Sequence, residues 1–364
     1  MRQHIWMEMA KIQFESVKSH FRILNPSKNF AEDLHTVVVR KDPLLGDTSV
    51  YNPFLKDKAG LFFVKCDPEV VNKLVEDSRQ SCFFCGENIT KSTPMYPSVL
   101  VPDGRFRAGE SILFPNLFSI AQYHAVVSLS TAHFLRLGEF SPELLADGLS
   151  SSKEFLNAVY HYDPAAPFSV TCANYLFPAG ASLVHPHMQV LVTPLPYSYH
   201  ARLVEACRKY YQDKGSAYHV DLIAEERAIG PRYIGQKGRW HWLTAFSPMG
   251  NNEVMAIHEE EGDFGSLAKE DIRDLGYGLS KVLAFYGSVG YLSFNFALFS
   301  VKKSSEEEGL RCLLKVMNRQ NLYPNYRNDD YFLQKILQSE LIIMLPEELA
   351  SQMRPSFGLM PSIV

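Results

Sequence analysis

The run His185-Pro186-His187-Met188-Gln189-Val190-Leu191-Val192-Thr193 constrains this chain more than any other stretch. Its apolar second half reads as a buried β-strand, and along a strand alternate side chains share a face. His185, His187 and Gln189 therefore project together, while Pro186, Met188 and Val190 point the other way. Two imidazoles and an amide at intervals of roughly 7 Å form a polar row beside an apolar strand. A strand that served only the core has little use for three polar side chains in register, so the row marks a site. It is entered through Asn174 to Val184, a segment with Gly180 and Ser182.

The other elements can be ordered around that strand. Thr36 to Arg40 is a short β-rich run, followed by a turn through Pro43 and Gly46. Ser111 to Phe114 and Tyr123 to Leu129 read as strands. Ser141-Pro142-Glu143 starts a helix, with serine as cap and proline first, and the apolar period continues to Tyr162. Phe168 to Ala173 is the next strand, and Tyr197 to Asp213 a helix. Trp240 to Phe246 and Glu253 to Ile257 read as strands, Lys269 to Tyr286 as a helix, and Leu292 to Val301 and Leu310 to Val316 as strands. The order strand-strand-helix-strand-strand thus occurs twice, around residues 111–193 and 240–316. That pattern predicts an α+β fold of antiparallel sheet with helices to one side. Met1 to Phe21 is expected to form a helix, and Gly215 to Arg239 a polar loop.

At 364 residues the chain is long enough for two domains or a duplicated one. A net charge of −4 argues against a nucleic-acid or acidic-membrane partner, which selects a basic surface. It leaves room for a small phosphorylated substrate. No signal peptide or apolar run of membrane-spanning length is visible, so a soluble cytoplasmic protein is expected. In that reducing compartment, Cys82-x-x-Cys85 is available for metal rather than for a disulfide. The spacing suits a zinc knuckle, and two buried cysteines without metal fit it as well. The best candidates for the other two ligands are His133 and His185, with His124 as competitor for the third place. A Cys2His2 set would be a closed structural site.

With His185 on metal, His187 is free on the same face. A neutral imidazole attacks phosphorus and forms a covalent phosphoryl or nucleotidyl intermediate. Gln189 transfers no proton at neutral pH, but its NH2 donates to a phosphate oxygen where charge builds. An amine or alkoxide leaving group needs a general acid, whereas a sugar 1-phosphate or inorganic phosphate leaves as a stable anion. Glutamine at this place therefore favours transfer between phosphates over hydrolysis. Gly180 and Ser182 supply close backbone approach and a hydroxyl to phosphate oxygens, and Asn174 a further amide.

Asn174, Gly180, Ser182 and His185-Pro186-His187-x-Gln189 match in register the active-site pattern of the galactose-1-phosphate uridylyltransferase family, the transferase branch of the histidine-triad superfamily. Arg40-Lys41-Asp42-Pro43-Leu44-Leu45-Gly46 resembles its N-terminal Arg-x-Asp-Pro-Leu-x-Gly. Cys82-Phe83-Phe84-Cys85 is similar to its zinc cysteines, Pro115-Asn116-Leu117-Phe118 to its nucleoside-contacting segment, and His124 to His133 to its strand ending in a zinc histidine. These motifs cover roughly residues 40–195 and in combination are highly specific.

The resemblance implies two tandem histidine-triad-like domains, a catalytic one over 1–195 and a degenerate one over 196–364. It implies one structural zinc on Cys82, Cys85, His133 and His185, with His187 as nucleotidylated nucleophile and Gln189 as phosphate-positioning amide. Arg40, Asn116, Asn174, Gly180 and Ser182 join Gln189 as substrate contacts. The substrates are a nucleotide sugar, UDP-glucose first, and a sugar 1-phosphate, and a homodimer is expected. ADP-glucose phosphorylase members of the family give the alternative acceptor and base, and a non-catalytic nucleotide binder is the alternative from another class. Three departures stand out. Leu176 replaces the usual glycine, predicting a different loop after Asn174. Phe299, Leu313 and Lys315 stand where uridylyltransferases carry second-metal histidines. The family's paired N-terminal arginines are missing, with Lys56 or Lys58 as replacements.

Overall fold

The computed structural model describes residues 11–58, 60, 63–303, 309–325 and 328–360. The described residues open with β1 (Glu15–Asn25), β2 (Ala31–Lys41) and β3 (Thr48–Tyr51), followed by helix α1 (Pro68–Arg79). Then come β4 (Phe106–Ala108), β5 (Ser111–Pro115), β6 (Tyr123–Ser128), α2 (Pro142–Tyr162), β7 (Phe168–Tyr175) and β8 (His187–Thr193). Two helices, α3 (Ser198–Lys214) and α4 (Tyr218–Ile229), lead into the second half. That half runs β9 (Tyr233–Lys237), β10 (Trp240–Thr244), β11 (Val254–His258), α5 (Lys269–Ser288), β12 (Phe294–Val301) and β13 (Leu313–Asn318). The chain ends with β14 (Ser339–Ile342) and α6 (Pro346–Met353).

The expected α+β class and internal repeat are both present, in a more unified form than two separate sheets. Ten strands form one antiparallel sheet in the order β4-β5-β6-β8-β7-β12-β13-β11-β10-β9. From its middle outward, β7-β8-β6-β5-β4 on one side matches β12-β13-β11-β10-β9 on the other, with α2 and α5 at the same place in each connection. The halves meet edge to edge, β7 against β12, from Phe294 opposite Tyr175 to Val301 opposite Phe168. Joining the two edges this way removes two unpaired strand edges from solvent.

One face of the sheet carries Val127, Met188, Val190, Ala173, Phe296, Leu298, Leu314, Val316 and Ala256, all buried beneath α2 and α5. Ser141 caps α2 as expected, its Oγ accepting from the Leu144 N–H at 3.1 Å. The two helices cross closely at Gly276, where a Cβ would lie 2.8 Å from the Pro142 carbonyl oxygen. The opposite face differs between the halves. Over the second half, Leu203, Cys207, Tyr218 and Leu222 from α3 and α4 pack on Leu243, Met255, Ile257 and Leu313. The expectation of helices on one side is thus corrected for this half, which is covered on both.

Two local expectations are also corrected. Residues 15–21 belong to β1, not to a helix, and the first ten residues of that expected helix lie outside the described ones. β1 and β2 form a long exposed hairpin in register from Glu15–Lys41 to Asn25–Ala31. It continues through β3 to β14, which lies parallel to β3. Residues 215–239 contain α4 and β9. Gly215 (φ 67°) and Gly230 (φ 86°) are left-handed caps that end α3 and α4.

Candidate active site and metal centre

The strand β8 begins at His187, and the pairing of β6, β8 and β7 sets what faces the site. Ser128 lies opposite His187, Val126 opposite Gln189, and Cys172 opposite Gln189 on the other side. Met188 and Val190 point into the core between the sheet and α2. The alternation expected from the sequence is therefore the one adopted, with His187 and Gln189 half-buried on the face that α3 and α4 leave uncovered.

His185, Cys82, Cys85 and His133 converge just before that strand, their ligand atoms all within 4.8 Å of one another. The separations are 3.6 Å from Cys82 Sγ to His185 Nδ1, 3.5 Å from Cys85 Sγ to His185 Nδ1, and 3.2 Å from Cys85 Sγ to His133 Nδ1. A tetrahedral ion with bonds of about 2.3 Å to sulfur and about 2.0 Å to nitrogen sets sulfur and nitrogen about 3.5 Å apart. The donors already sit near that spacing. Both rings also present a lone pair. His185 Nε2 donates to the Ser130 carbonyl at 2.8 Å, leaving Nδ1 bare. Ser78 Oγ donates to Leu74 O at 2.6 Å and so accepts from His133 Nε2 at 3.0 Å, leaving that Nδ1 bare as well. Outer partners of this kind fix tautomer and ring orientation for a metal. Burial holds both imidazoles neutral, pushing His185 down to about 4. Burial and the neighbouring Cys82 push the Cys85 thiol up to about 11, a cost that a cation between the sulfurs reverses. This cluster can hold a metal ion.

His187 is oriented by its own strand. Its Nδ1 donates to the His185 carbonyl at 2.8 Å, so the Nε2 lone pair is the one left for chemistry. Burial lowers the His187 pKa, keeping the ring in its neutral form. Phe84 lies edge-on to the rings of both His185 and His187. One knuckle side chain thus touches the candidate metal cluster and the His187 ring together.

Gln189 owes its orientation to His124, a residue whose role the sequence left open. The Ile120 N–H points at His124 Nδ1 at 3.2 Å, and an N–H can only donate. The ring proton is therefore on Nε2, which donates to Gln189 Oε1 at 2.9 Å. That turns the Gln189 NH2 away from His124 as a free donor. Asn116 Oδ1 accepts from the Phe118 N–H at 2.9 Å, so its Nδ2, 3.2 Å from His124 Nε2, finds no lone pair there and also stays available.

The remaining expected residues divide. Asn174 lies on β7, on the same face as Cys172 and Gln189. Gly180 (φ 84°) and Ser182 are exposed in the turn that leads to His185. Leu176 adopts φ 65° and ψ 166°, a conformation glycine takes freely and leucine resists. Full burial of the leucine side chain holds that conformation. Arg40 is not brought to the row. It lies on β2, bidentate to Glu347 at 3.0 Å with Phe246 under its guanidinium. Lys56 pairs with Glu348 at 2.7 Å, and the side chain of Lys58 lies outside the described residues. Phe299 packs against Tyr199 and His200, and Lys315 Nζ bonds Glu253 at 2.8 Å.

No family model matches the sequence. An uncharacterized protein of Archaeoglobus fulgidus is 27% identical over 322 residues, 88% of this chain and 92% of its own length. Among solved structures, the ADP-glucose phosphorylase of Arabidopsis thaliana with bound ADP-glucose superposes with a TM-score of 0.66 at 17% identity, over 87% of this chain and 98% of that one. The chain shares the fold of that structure. A structure described as uridylyltransferase matches with a TM-score of 0.61 at 16% identity, over 69% of this chain and 86% of that one. A GalT-like protein of Arabidopsis thaliana gives 0.66 at 17% identity over 87% of this chain.

Proposed function

We propose that this protein is a nucleotidyltransferase that works by two displacements at His187. The observation that carries the reading is the His187 hydrogen bond to the His185 carbonyl, which leaves Nε2 unprotonated on the open face beside the free Gln189 amide. His187 Nε2 attacks the α-phosphorus of a nucleotide sugar such as UDP-glucose, forming a P–N bond. The P–O bond to the β-phosphate breaks, and sugar 1-phosphate departs as an anion that needs no proton. A second sugar 1-phosphate then attacks the same phosphorus and releases the imidazole. Gln189 and Asn174 donate to the non-bridging oxygens, with Gly180 and Ser182 along the phosphates and Asn116 on the nucleoside side. Radiolabelled UDP-glucose and ADP-glucose test this: an acid-labile, base-stable protein adduct is expected, and no adduct with either contradicts it. The base retained in the adduct separates uridylyl from adenylyl transfer. Release of the adduct by inorganic phosphate would mark a phosphorylase.

The metal is assigned as zinc, which the Cys2His2 donors and their spacing suit. When bound it ties the Cys82 knuckle to the strand that carries His187. Metal analysis of the purified protein tests the assignment, and a metal-free wild type would refute it. The exposed Phe21, Leu24, Phe30 and Leu34 of the β1–β2 hairpin support a homodimer, to be read by light scattering. The division into a catalytic unit over 1–195 and a second unit over 196–364 falls between β8 and α3. We place the protein in the reducing cytoplasm, where Cys66, Cys172, Cys207 and Cys312, the cysteines outside the metal cluster, need form no disulfide.

A further inference from the structure

Asn174 faces the reactive row, and what fixes its amide comes from the other half of the molecule. Asn295 on β12 lies directly opposite Asn174 on β7. Its Nδ2 donates to Asn174 Oδ1 at 2.6 Å and to the Ala179 carbonyl at 2.9 Å, in the turn that presents Gly180. Its Oδ1 accepts from Arg319 Nη1 at 2.6 Å. A guanidinium has only donors and a carbonyl only accepts, so the Asn295 amide cannot be turned over. With the Asn295 nitrogen fixed toward Asn174, the Asn174 oxygen must be the acceptor there. Its NH2 is left for a ligand. Arg319 is held in turn by Asp329, Nε to Oδ2 at 2.8 Å, and by Asp330 at 3.6 Å.

We infer that Asn295 and Arg319 are positioning residues that present the Asn174 NH2 to a substrate phosphate. This rests on the nucleotidyl-transfer reading and deepens it. The second half, which lacks the histidine pair of the first, sets one of the two amides that act on the phosphate. The arrangement parallels the Ile120–His124–Gln189 chain: in each, an obligate donor fixes an intermediary, and the intermediary fixes an active-site amide. Asn295 also bonds the backbone just before Gly180, so one side chain registers both the amide and the turn.

The test is a double-mutant cycle on the rate of covalent labelling by nucleotide sugar, using wild type, Asn174→Ala, Asn295→Asp and the double variant. Aspartate at 295 keeps the size but offers only acceptors, so it donates to neither Asn174 nor Ala179. Asn295→Asp is expected to slow labelling about 10²-fold in wild type and to cost far less in the Asn174→Ala background, where only the Ala179 bond is left to lose. Arg319→Lys, which keeps a donor for Asn295, should retain most of the rate. An equal loss in both backgrounds, or no loss in wild type, overturns the inference. A second measurement needs no activity. In protein labelled with 15N-asparagine, the Asn295 side-chain protons should be protected from solvent exchange and lose that protection in Arg319→Met. Exchange at the solvent rate in wild type overturns the relay. Absence of labelling in a wild type with protected Asn295 protons would instead count against the nucleotidyl-transfer reading alone.

Discussion

The two halves of the sheet repeat one connection and differ in what lies over the same face. On β8, His187 and Gln189 are half-buried, with a lone pair and an NH2 left unpaired. On β13, the corresponding face carries Leu313, packed under α3 and α4, and Lys315, whose ammonium is bonded to Glu253. The backbone is equally regular in both. What separates the strand proposed as reactive from its counterpart is whether its polar groups are satisfied internally and whether helices cover them. The second half has not become irrelevant, because its β12 edge reaches Asn174 through Asn295.

That contrast yields predictions of decreasing size. His187→Ala should reduce labelling on the order of 10⁴-fold or more, with metal content and thermal unfolding unchanged. A variant that kept labelling would break the contrast at once. Lys315→Met leaves the Glu253 carboxylate buried without its cation, and should cost about 3–5 kcal/mol in denaturant unfolding. Its labelling rate per folded molecule should match wild type, and a large rate loss would mean that the covered row also serves the chemistry. Gln189→Glu replaces the free NH2 by a carboxylate facing phosphate and should slow labelling about 10²–10³-fold, by stopped-flow or quenched-flow kinetics. Ser78→Ala removes the acceptor behind His133 and should weaken metal binding about 10–100-fold in a chelator competition.

The smallest effect concerns β14. Burial, with Asp329 and Asp330 nearby, pushes Glu340 up to about 7. The folded protein therefore retains a proton there that the unfolded chain releases at ordinary glutamate pH. The associated stability is complete below the unfolded pKa and is lost as pH rises through about 7. Unfolding of Glu340→Gln between pH 5 and 8 should show a shallower pH dependence than wild type.

Much of this was legible in the chain. The alternation at His185, His187 and Gln189 gave the face, because β8 is buried on one side and its register is forced. The metal cluster was legible because Cys82 and Cys85 stand three residues apart and the family resemblance supplies His133 and His185 as their partners. The hairpin was not, since β1 is exposed along its length and carries no burial pattern to distinguish it from a polar helix. Residues 215–239 read as a loop because the stretch is polar and α4 has little apolar periodicity, whereas Gly215 and Gly230 there end two helices. The amide relays were beyond reach: Asn295 is 121 positions from Asn174, and nothing in either segment announces the other. Likewise Arg40 sits in a matching motif, but only the fold shows it paired with Glu347.

The most direct measurement is to incubate the protein with UDP-glucose or ADP-glucose, digest it at alkaline pH and map the modified residue by tandem mass spectrometry. A nucleoside monophosphate on His187 is the predicted result. An unmodified His187, or a nucleotide carried on any other residue, would contradict the assignment of the open strand as the reactive one.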